Sequence, residues 1–122
     1  MMSTVPANAS RATGGRERRQ WSRCHIDVQV KVRMASNADY RIIHGRGTDL
    51  SCGGVAAVVA AELVIGQSVD LEISLPYASQ PIRVRATVRN RDSYRYGLEF
   101  VNLSPADHKL IRQTCTALGL LQ

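Results

Sequence analysis

The segment TDLSCGG, residues 48–54, combines a carboxylate, a hydroxyl and two glycines within seven residues. Asp and Ser side chains are short enough to hydrogen-bond to nearby backbone groups, and glycine permits turns that other residues avoid. Such a segment is most often a plain loop between two strands. The same groups also present donors and acceptors close together, so the segment is a candidate ligand-binding loop.

A second candidate segment is rich in arginine and precedes the first strand-like run. Residues 11–23 contain five arginines and one glutamate, so most of the net charge of +6 is concentrated there. A guanidinium group can hold a phosphate through two hydrogen bonds or stack on a flat ring, which an ammonium group cannot do. Most arginine-rich runs of this kind are solvated basic tails, but the compactness of this one favours an anionic partner.

Alternation of apolar and polar residues predicts the strands that position both segments. The runs HIDVQVKVRM, QSVDLEISLP and IRVRATVRNRD alternate with a period of two. YRIIHGRGTDL is interrupted by Gly45 and Gly47, which predicts a bent strand or a bulge. GVAAVVAAEL fits a strand or a helix, and its flanking glycines favour a strand. SYRYGLEF is the sixth predicted strand. A helix is predicted from Pro105, with Ser104 as its cap, to Gly119.

Six amphipathic strands and one terminal helix predict an antiparallel barrel or a strongly curled sheet, with the helix over one open end. If the first two strands pair, the start of the first lies beside the end of the second. The arginine segment and TDLSCGG would then meet at one end of the barrel. Guanidinium groups, a carboxylate, a hydroxyl and backbone N–H groups suit a phosphate-linked purine nucleotide.

Two short motifs carry a resemblance to a known family. RQWSR matches R-x-x-x-R at Arg19 and Arg23, and DLSCGG matches D/N-x-S-x-x-G at Asp49, Ser51 and Gly54. In this order, and together with YGLEFVNLSPAD, they resemble the PilZ domain, the bacterial receptor module for cyclic di-GMP. The resemblance extends over nearly the whole predicted domain.

The resemblance implies an all-β fold: a six-stranded antiparallel β-barrel with a C-terminal α-helix, in which the arginine segment folds over the ligand. By position, Arg19 and Arg23 would hold the phosphates and guanines. Arg18 matches a position that favours a stacked ligand dimer when it is arginine. The cyclic di-GMP-binding residues that the resemblance implies are Arg18, Arg19, Arg23, Asp49, Ser51, Gly53 and Gly54.

The other motif is expected to face the base. Asp49 and Ser51 would bond a guanine, and Gly54 would let the backbone approach it. Since no catalytic or DNA-binding domain is expected beside the predicted domain, the receptor needs a separate output. We expect ligand binding to order Arg16–Arg23 and to expose a surface to an unidentified effector protein.

Three alternatives remain open at this stage. An enzyme would need Ser51 with a histidine (His25, His44 or His108) and an aspartate, but no G-x-S-x-G or H-E-x-x-H pattern is present. We therefore expect no catalytic residues, no metal and no cofactor. A small-barrel nucleic-acid binder would stack bases on strand-borne aromatics, but the aromatics of this chain are not interleaved with the arginines of the fifth strand-like run, and the charge after Arg23 is nearly balanced. A PilZ-like adaptor without nucleotide binding is the third.

Length, composition and cysteine spacing indicate how the chain is divided and where the protein is located. We expect a disordered tail over residues 1–15, one domain over 16–118 and a short tail over 119–122. The sequence has no apolar run long enough for a transmembrane helix, and residues 1–19 lack a continuous apolar segment, so we expect no secretory signal. The three cysteines form no C-x-x-C pair, which predicts ordinary apolar residues, no disulfide and no zinc site. A reducing cytoplasm is the expected location.

Overall fold

The alternating runs form strands whose apolar side chains point into one closed barrel. The computed structural model describes residues 23–36 and 39–121. In chain order the elements are β1 (Cys24–Ser36), β2 (Asp39–Ser51), β3 (Gly54–Val59), β4 (Ser68–Ile73), β5 (Ile82–Asp92), β6 (Arg95–Val101) and α1 (Pro105–Leu121). The predicted six strands and terminal helix are therefore confirmed.

The barrel closes because each strand pairs on both sides. The strand order is β1-β2-β3-β6-β5-β4, and β4 pairs with β1. All six pairings are antiparallel. Closure satisfies the strand edges that an open curled sheet would leave exposed. It also places β6 beside β3, a neighbour that is remote in sequence.

The barrel interior confirms the period-two prediction. In β5, Ile82, Val84, Ala86 and Val88 are buried, whereas the intervening arginines face outward. The largest fully buried side chain is that of Tyr96. Its hydroxyl donates to the Ala61 carbonyl at 2.7 Å and accepts from the Leu63 N–H at 3.0 Å. The phenol thus fills the core while its polar end stays hydrogen-bonded.

The predicted irregularity in β2 lies beside the end that carries TDLSCGG. The register with β3 shifts between Gly47 and Asp49, and the register of β1 with β2 shifts between His25 and Val28. Bulges bend a strand and redirect the side chains that follow. The predicted bulge is confirmed, and Asp49 lies immediately after it.

The C-terminal helix begins as predicted but extends further. Its cap is confirmed, because the Asp107 N–H donates to Ser104 Oγ at 3.1 Å. Ile111 and Thr114 face the barrel and are buried. The predicted end at Gly119 is wrong, since α1 continues to Leu121. One glycine costs a helix only about 1 kcal/mol relative to alanine, which does not force it to end.

Two of the three cysteines form a disulfide, so the prediction of unpaired cysteines is wrong for this pair. Cys24 and Cys115 are bonded, with Cα atoms 5.3 Å apart, although 91 residues separate them in sequence. They meet because α1 packs beside the end of β2: Cys24 pairs with Leu50, and Cys115 Sγ lies 3.6 Å from the Leu50 carbonyl oxygen. The cytoplasmic location was expected because no disulfide was expected, so the cysteines no longer support it.

This crosslink is expected to contribute measurably to stability. Reduction with dithiothreitol should lower the free energy of unfolding by about 2–4 kcal/mol, because a long loop is released in the unfolded chain. Urea unfolding with and without reductant measures the change. The double variant Cys24→Ser/Cys115→Ser is the matched control and should not respond to reductant. Equal midpoints for the parent in both conditions would contradict the prediction.

No helix in residues 23–36 and 39–121 is long and apolar enough to cross a membrane. The predicted disordered tail, residues 1–15, lies outside the described residues. The domain boundaries and the cytoplasmic location stay predictions.

Candidate functional site

Pairing of β1 with β2 brings the two candidate segments to one end of the barrel. Cys24 lies opposite Leu50 and His25 opposite Asp49. Arg23 directly precedes β1, and its side chain lines the same cavity as Asp49 and Ser51. The predicted meeting of the two segments is therefore confirmed for Arg23. Arg18 and Arg19 lie outside the described residues, and their roles stay predictions.

The cavity is an open basin of about 350 Å³ formed by the residue before β1 and parts of β2, β3, β5 and β6. Its lining includes small residues of β3 and β6, among them Ala56 and Gly97. The predicted site residues that line it are Arg23, Asp49, Ser51, Gly53 and Gly54. Its other polar or charged lining residues are Arg89, Asn90, Arg95 and Glu99.

The carboxylate of Asp49 is held by side chains from two other strands. Its Oδ1 lies 2.6 Å from His25 Nδ1 of β1, and its Oδ2 lies 2.5 Å from Arg95 Nη2 of β6. The Asp49 side chain is only 19% exposed. Sequence reasoning expected short side chains here to bond nearby backbone; for Asp49 the structure shows long-range side-chain contacts.

Ser51 follows the sequence expectation. Its Oγ accepts the Gly53 N–H at 3.1 Å, which closes a local turn. The carbonyl of Gly53 accepts the Phe100 N–H at 2.9 Å, so this turn is tied to β6. Because the Ser51 oxygen accepts this hydrogen bond, its hydroxyl proton points away from the Gly53 N–H and can be donated to another acceptor.

Of the two adjacent glycines, Gly54 is needed for a different reason from the one expected. Neither Gly53 nor Gly54 has a positive φ; among the glycines of the described ranges only Gly66 does. The expectation of unusual turn angles is therefore wrong for this pair. A Cβ at Gly54 would instead overlap the carbonyl oxygen of Leu98. Glycine is required here because β3 and β6 approach closely.

Gly54→Ala is expected to destabilise the barrel by roughly 1–3 kcal/mol, since backbone must shift to admit the methyl group. Gly119→Ala is the matched control: a Cβ there meets no atom within 4 Å, and replacing a helical glycine should add about 0.5–1 kcal/mol. Urea unfolding of both variants measures the two changes. A Gly54→Ala variant as stable as the parent would contradict the close-approach explanation.

The β5 and β6 residues of the cavity were missed by the sequence reasoning. Arg89 Nε and Glu99 Oε1 form an ion pair at 2.5 Å across these strands. Gly97 lies against the amide of Asn90, where the β5–β6 register shifts. Alternation placed Arg89 on the outer face, but no local pattern indicates that β6 pairs with β3. Only barrel closure brings these side chains beside TDLSCGG.

The cavity combines three guanidinium groups, from Arg23, Arg89 and Arg95, with the carboxylates of Asp49 and Glu99. Such a surface can attract an anion and still accept hydrogen bonds. Guanidinium groups suit phosphate oxygens, and a carboxylate suits the N–H groups of a guanine edge. Ala56 contributes only a small side chain to the lining. This arrangement fits an anionic purine nucleotide better than an apolar ligand.

The described residues also bear on the enzymatic alternative. Asp49 and His25 are in contact, as a triad would require, and the Ser51 oxygen accepts the Gly53 N–H. Burial raises the pKa of the Cys52 thiol, an effect that Arg112 partly opposes. A thiol with a raised pKa stays protonated at neutral pH and is a poor nucleophile. The absence of catalytic activity itself stays a prediction.

Metal binding was likewise not expected. In the part of the chain that the structure describes, no three His, Cys, Asp or Glu side chains are grouped so that they could hold a metal ion. The expectation that the protein uses no metal and no cofactor stays a prediction.

Comparison with known proteins connects this geometry to a family. The family model of the PilZ domain matches residues 17–117. No curated protein sequence matches the chain. The two motifs that carried the resemblance, R-x-x-x-R and D/N-x-S-x-x-G, both fall within the matched residues.

Solved structures share the fold. An inhibitor of motility from Bacillus subtilis (MotI/DgrA) is similar with a TM-score of 0.70 and 23% identity, over 87% of this chain and 53% of that one. The PilZ domain of Escherichia coli YcgR with c-di-GMP has a TM-score of 0.67 and 20% identity, over 85% of this chain and 93% of that one. The PilZ domain of CeSA from a cellulose-synthesizing bacterium has a TM-score of 0.60 and 19% identity, over 80% of this chain and 98% of that one. The chain thus spans about half the length of MotI/DgrA and nearly all of the two isolated domains.

Proposed function

Since the chain belongs to the PilZ domain family, we propose that it is a receptor for cyclic di-GMP. The observation that carries this proposal is the cavity in which Arg23 of the first motif and Asp49 and Ser51 of the second lie together. One similar structure, the YcgR domain, contains c-di-GMP. The ligand has two phosphates and two guanines, which matches the charge and the acceptors of the cavity.

In this proposal the two motifs bind different parts of the ligand. Arg19 and Arg23 hold phosphate oxygens and guanines with charge-assisted hydrogen bonds. The Asp49 carboxylate accepts the N–H groups of a guanine, and the Ser51 hydroxyl adds a neutral hydrogen bond. Arg18 favours a stacked ligand dimer. The backbone at Gly53 and Gly54 has no side chain that would keep a ligand away.

We further propose that the ligand orders the segment Arg16–Arg23, which then presents a surface to an effector protein. Ordering a segment costs about 2–5 kcal/mol of the gross interaction energy, so a moderate affinity is expected. Hydrogen–deuterium exchange measures this step. Slower exchange of residues 16–23 on addition of cyclic di-GMP is expected, and unchanged exchange at saturation would overturn the conformational part of the proposal.

Thermal unfolding tests binding without any label. Cyclic di-GMP at a hundred times its Kd should stabilise the folded chain by about 2.7 kcal/mol, whereas GTP and cyclic di-AMP at the same concentration should do so much less. No shift with cyclic di-GMP would favour an adaptor that does not bind nucleotide. Stabilisation by single-stranded DNA instead, with a steep salt dependence, would favour a nucleic-acid binder.

A further inference from the structure

Arg95 reaches the proposed guanine-binding carboxylate from a strand that neither motif contains. Its Nη2 lies 2.5 Å from Asp49 Oδ2, while His25 Nδ1 contacts the other carboxylate oxygen at 2.6 Å. The Asp49 side chain is 19% exposed and that of Arg95 is 49% exposed. Each oxygen of the carboxylate thus contacts one basic side chain, and Asp49 still lines the cavity.

Strand order explains how this contact forms. Asp49 lies opposite Ala56 of β3, and Ala56 lies opposite Gly97 of β6. Arg95 is two residues before Gly97, so its side chain points to the same outer face and crosses β3 diagonally. Because Ala56 is small, no large side chain of β3 stands between the guanidinium and the carboxylate.

The contact leaves the carboxylate able to bind. Its two oxygens offer about four lone-pair sites, so two remain after the contacts with Arg95 and His25. Two N–H groups on the edge of a guanine would occupy those sites only if the plane of the carboxylate is fixed in the right orientation. A side chain that holds the carboxylate therefore sets how well the guanine edge is recognised.

We propose that Arg95 is a positioning residue for guanine recognition, acting through Asp49 rather than by touching the ligand. This inference rests on the proposed function and deepens it. A guanidinium that bound a ligand phosphate directly would behave differently, because its effect would not depend on Asp49 and would be the same for any base.

A double-mutant cycle separates these two roles, because coupled residues give non-additive losses. Cyclic di-GMP affinity is measured by calorimetry for the parent, Arg95→Ala, Asp49→Ala and the double variant. Arg95→Ala should weaken binding about tenfold in the parent and less than about twofold when Asp49 is already absent. Equal losses in both backgrounds would overturn the proposal. Arg95→Lys should recover only part of the loss, because an ammonium lacks the planar fork.

A second readout holds even if Asp49→Ala binds too weakly to measure. Cyclic di-IMP lacks the exocyclic amino group of guanine, so the ratio of its Kd to that of cyclic di-GMP reports recognition of that group. The ratio should fall in Arg95→Ala. An unchanged ratio with both ligands equally weakened would identify a phosphate contact and overturn the proposal.

The matched control is Arg85→Ala, which removes a similar exposed pair, Arg85 Nε to Asp70 Oδ1 at 3.1 Å, outside the cavity. It should leave both affinities unchanged. Failure of the parent to bind cyclic di-GMP would overturn the proposed function, and this inference with it. Parent binding without coupling between Arg95 and Asp49 would overturn this inference alone.

Discussion

Arg23→Ala is expected to weaken cyclic di-GMP binding by about ten- to a hundredfold. Hydrogen bonds to charged groups typically contribute ~1.5–3 kcal/mol, and each 1.4 kcal/mol corresponds to about a factor of ten in affinity. Arg23 is exposed and lines the cavity. Its removal should therefore change binding and leave the unfolding transition in place. Calorimetric titration and thermal unfolding of the same preparation measure the two quantities.

Two variants calibrate that result. Arg83→Ala removes an exposed outward arginine that pairs with Glu72 outside the cavity, and it should bind like the parent. Ser51→Ala removes a neutral hydroxyl and should cost only about 1 kcal/mol. If Arg23→Ala bound as tightly as the parent, the proposed site would be wrong.

Asp49→Ala is the second large effect, again about ten- to a hundredfold in Kd, because the variant loses the charged acceptor for guanine N–H groups. Its selectivity should fall as well, since a guanine edge is then no better recognised than an adenine edge. Titration with cyclic di-GMP and cyclic di-AMP measures both changes. The carboxylate also contacts His25 and Arg95, so thermal unfolding is recorded alongside.

Asp49→Asn is the matched variant for this prediction. It keeps the shape and one acceptor oxygen but loses the charge and the second acceptor, so its affinity should lie between those of the parent and Asp49→Ala. An Asp49→Ala variant with unchanged affinity and selectivity would remove guanine recognition from this residue.

Much of the fold follows from local pattern. Inward and outward residues in β5 are those that alternation predicts, because a strand directs successive side chains to opposite faces. Ser104 and Pro105 start α1 as expected, since capping depends on neighbouring residues. The meeting of Arg23 with Asp49 follows from one further step, the pairing of consecutive strands.

Other features depend on contacts that are distant in sequence. The Cys24–Cys115 bond forms where α1 packs, which spacing along the chain does not reveal. Arg95 reaches Asp49 only because β6 pairs with β3. The need for glycine at Gly54 is set by Leu98 across that same pairing. The disulfide depends on how the helix packs, and the other two features depend on how the barrel closes; no single segment encodes either.

Calorimetric titration of the intact chain with cyclic di-GMP, with GTP and cyclic di-AMP as controls, tests the central claim most directly. The account predicts saturable, selective binding with a Kd on the order of micromolar, about −8 kcal/mol. The fitted stoichiometry then tells whether one ligand or a stacked pair is bound. No heat from a folded sample, or equal binding of GTP, would contradict the assignment of a cyclic di-GMP receptor.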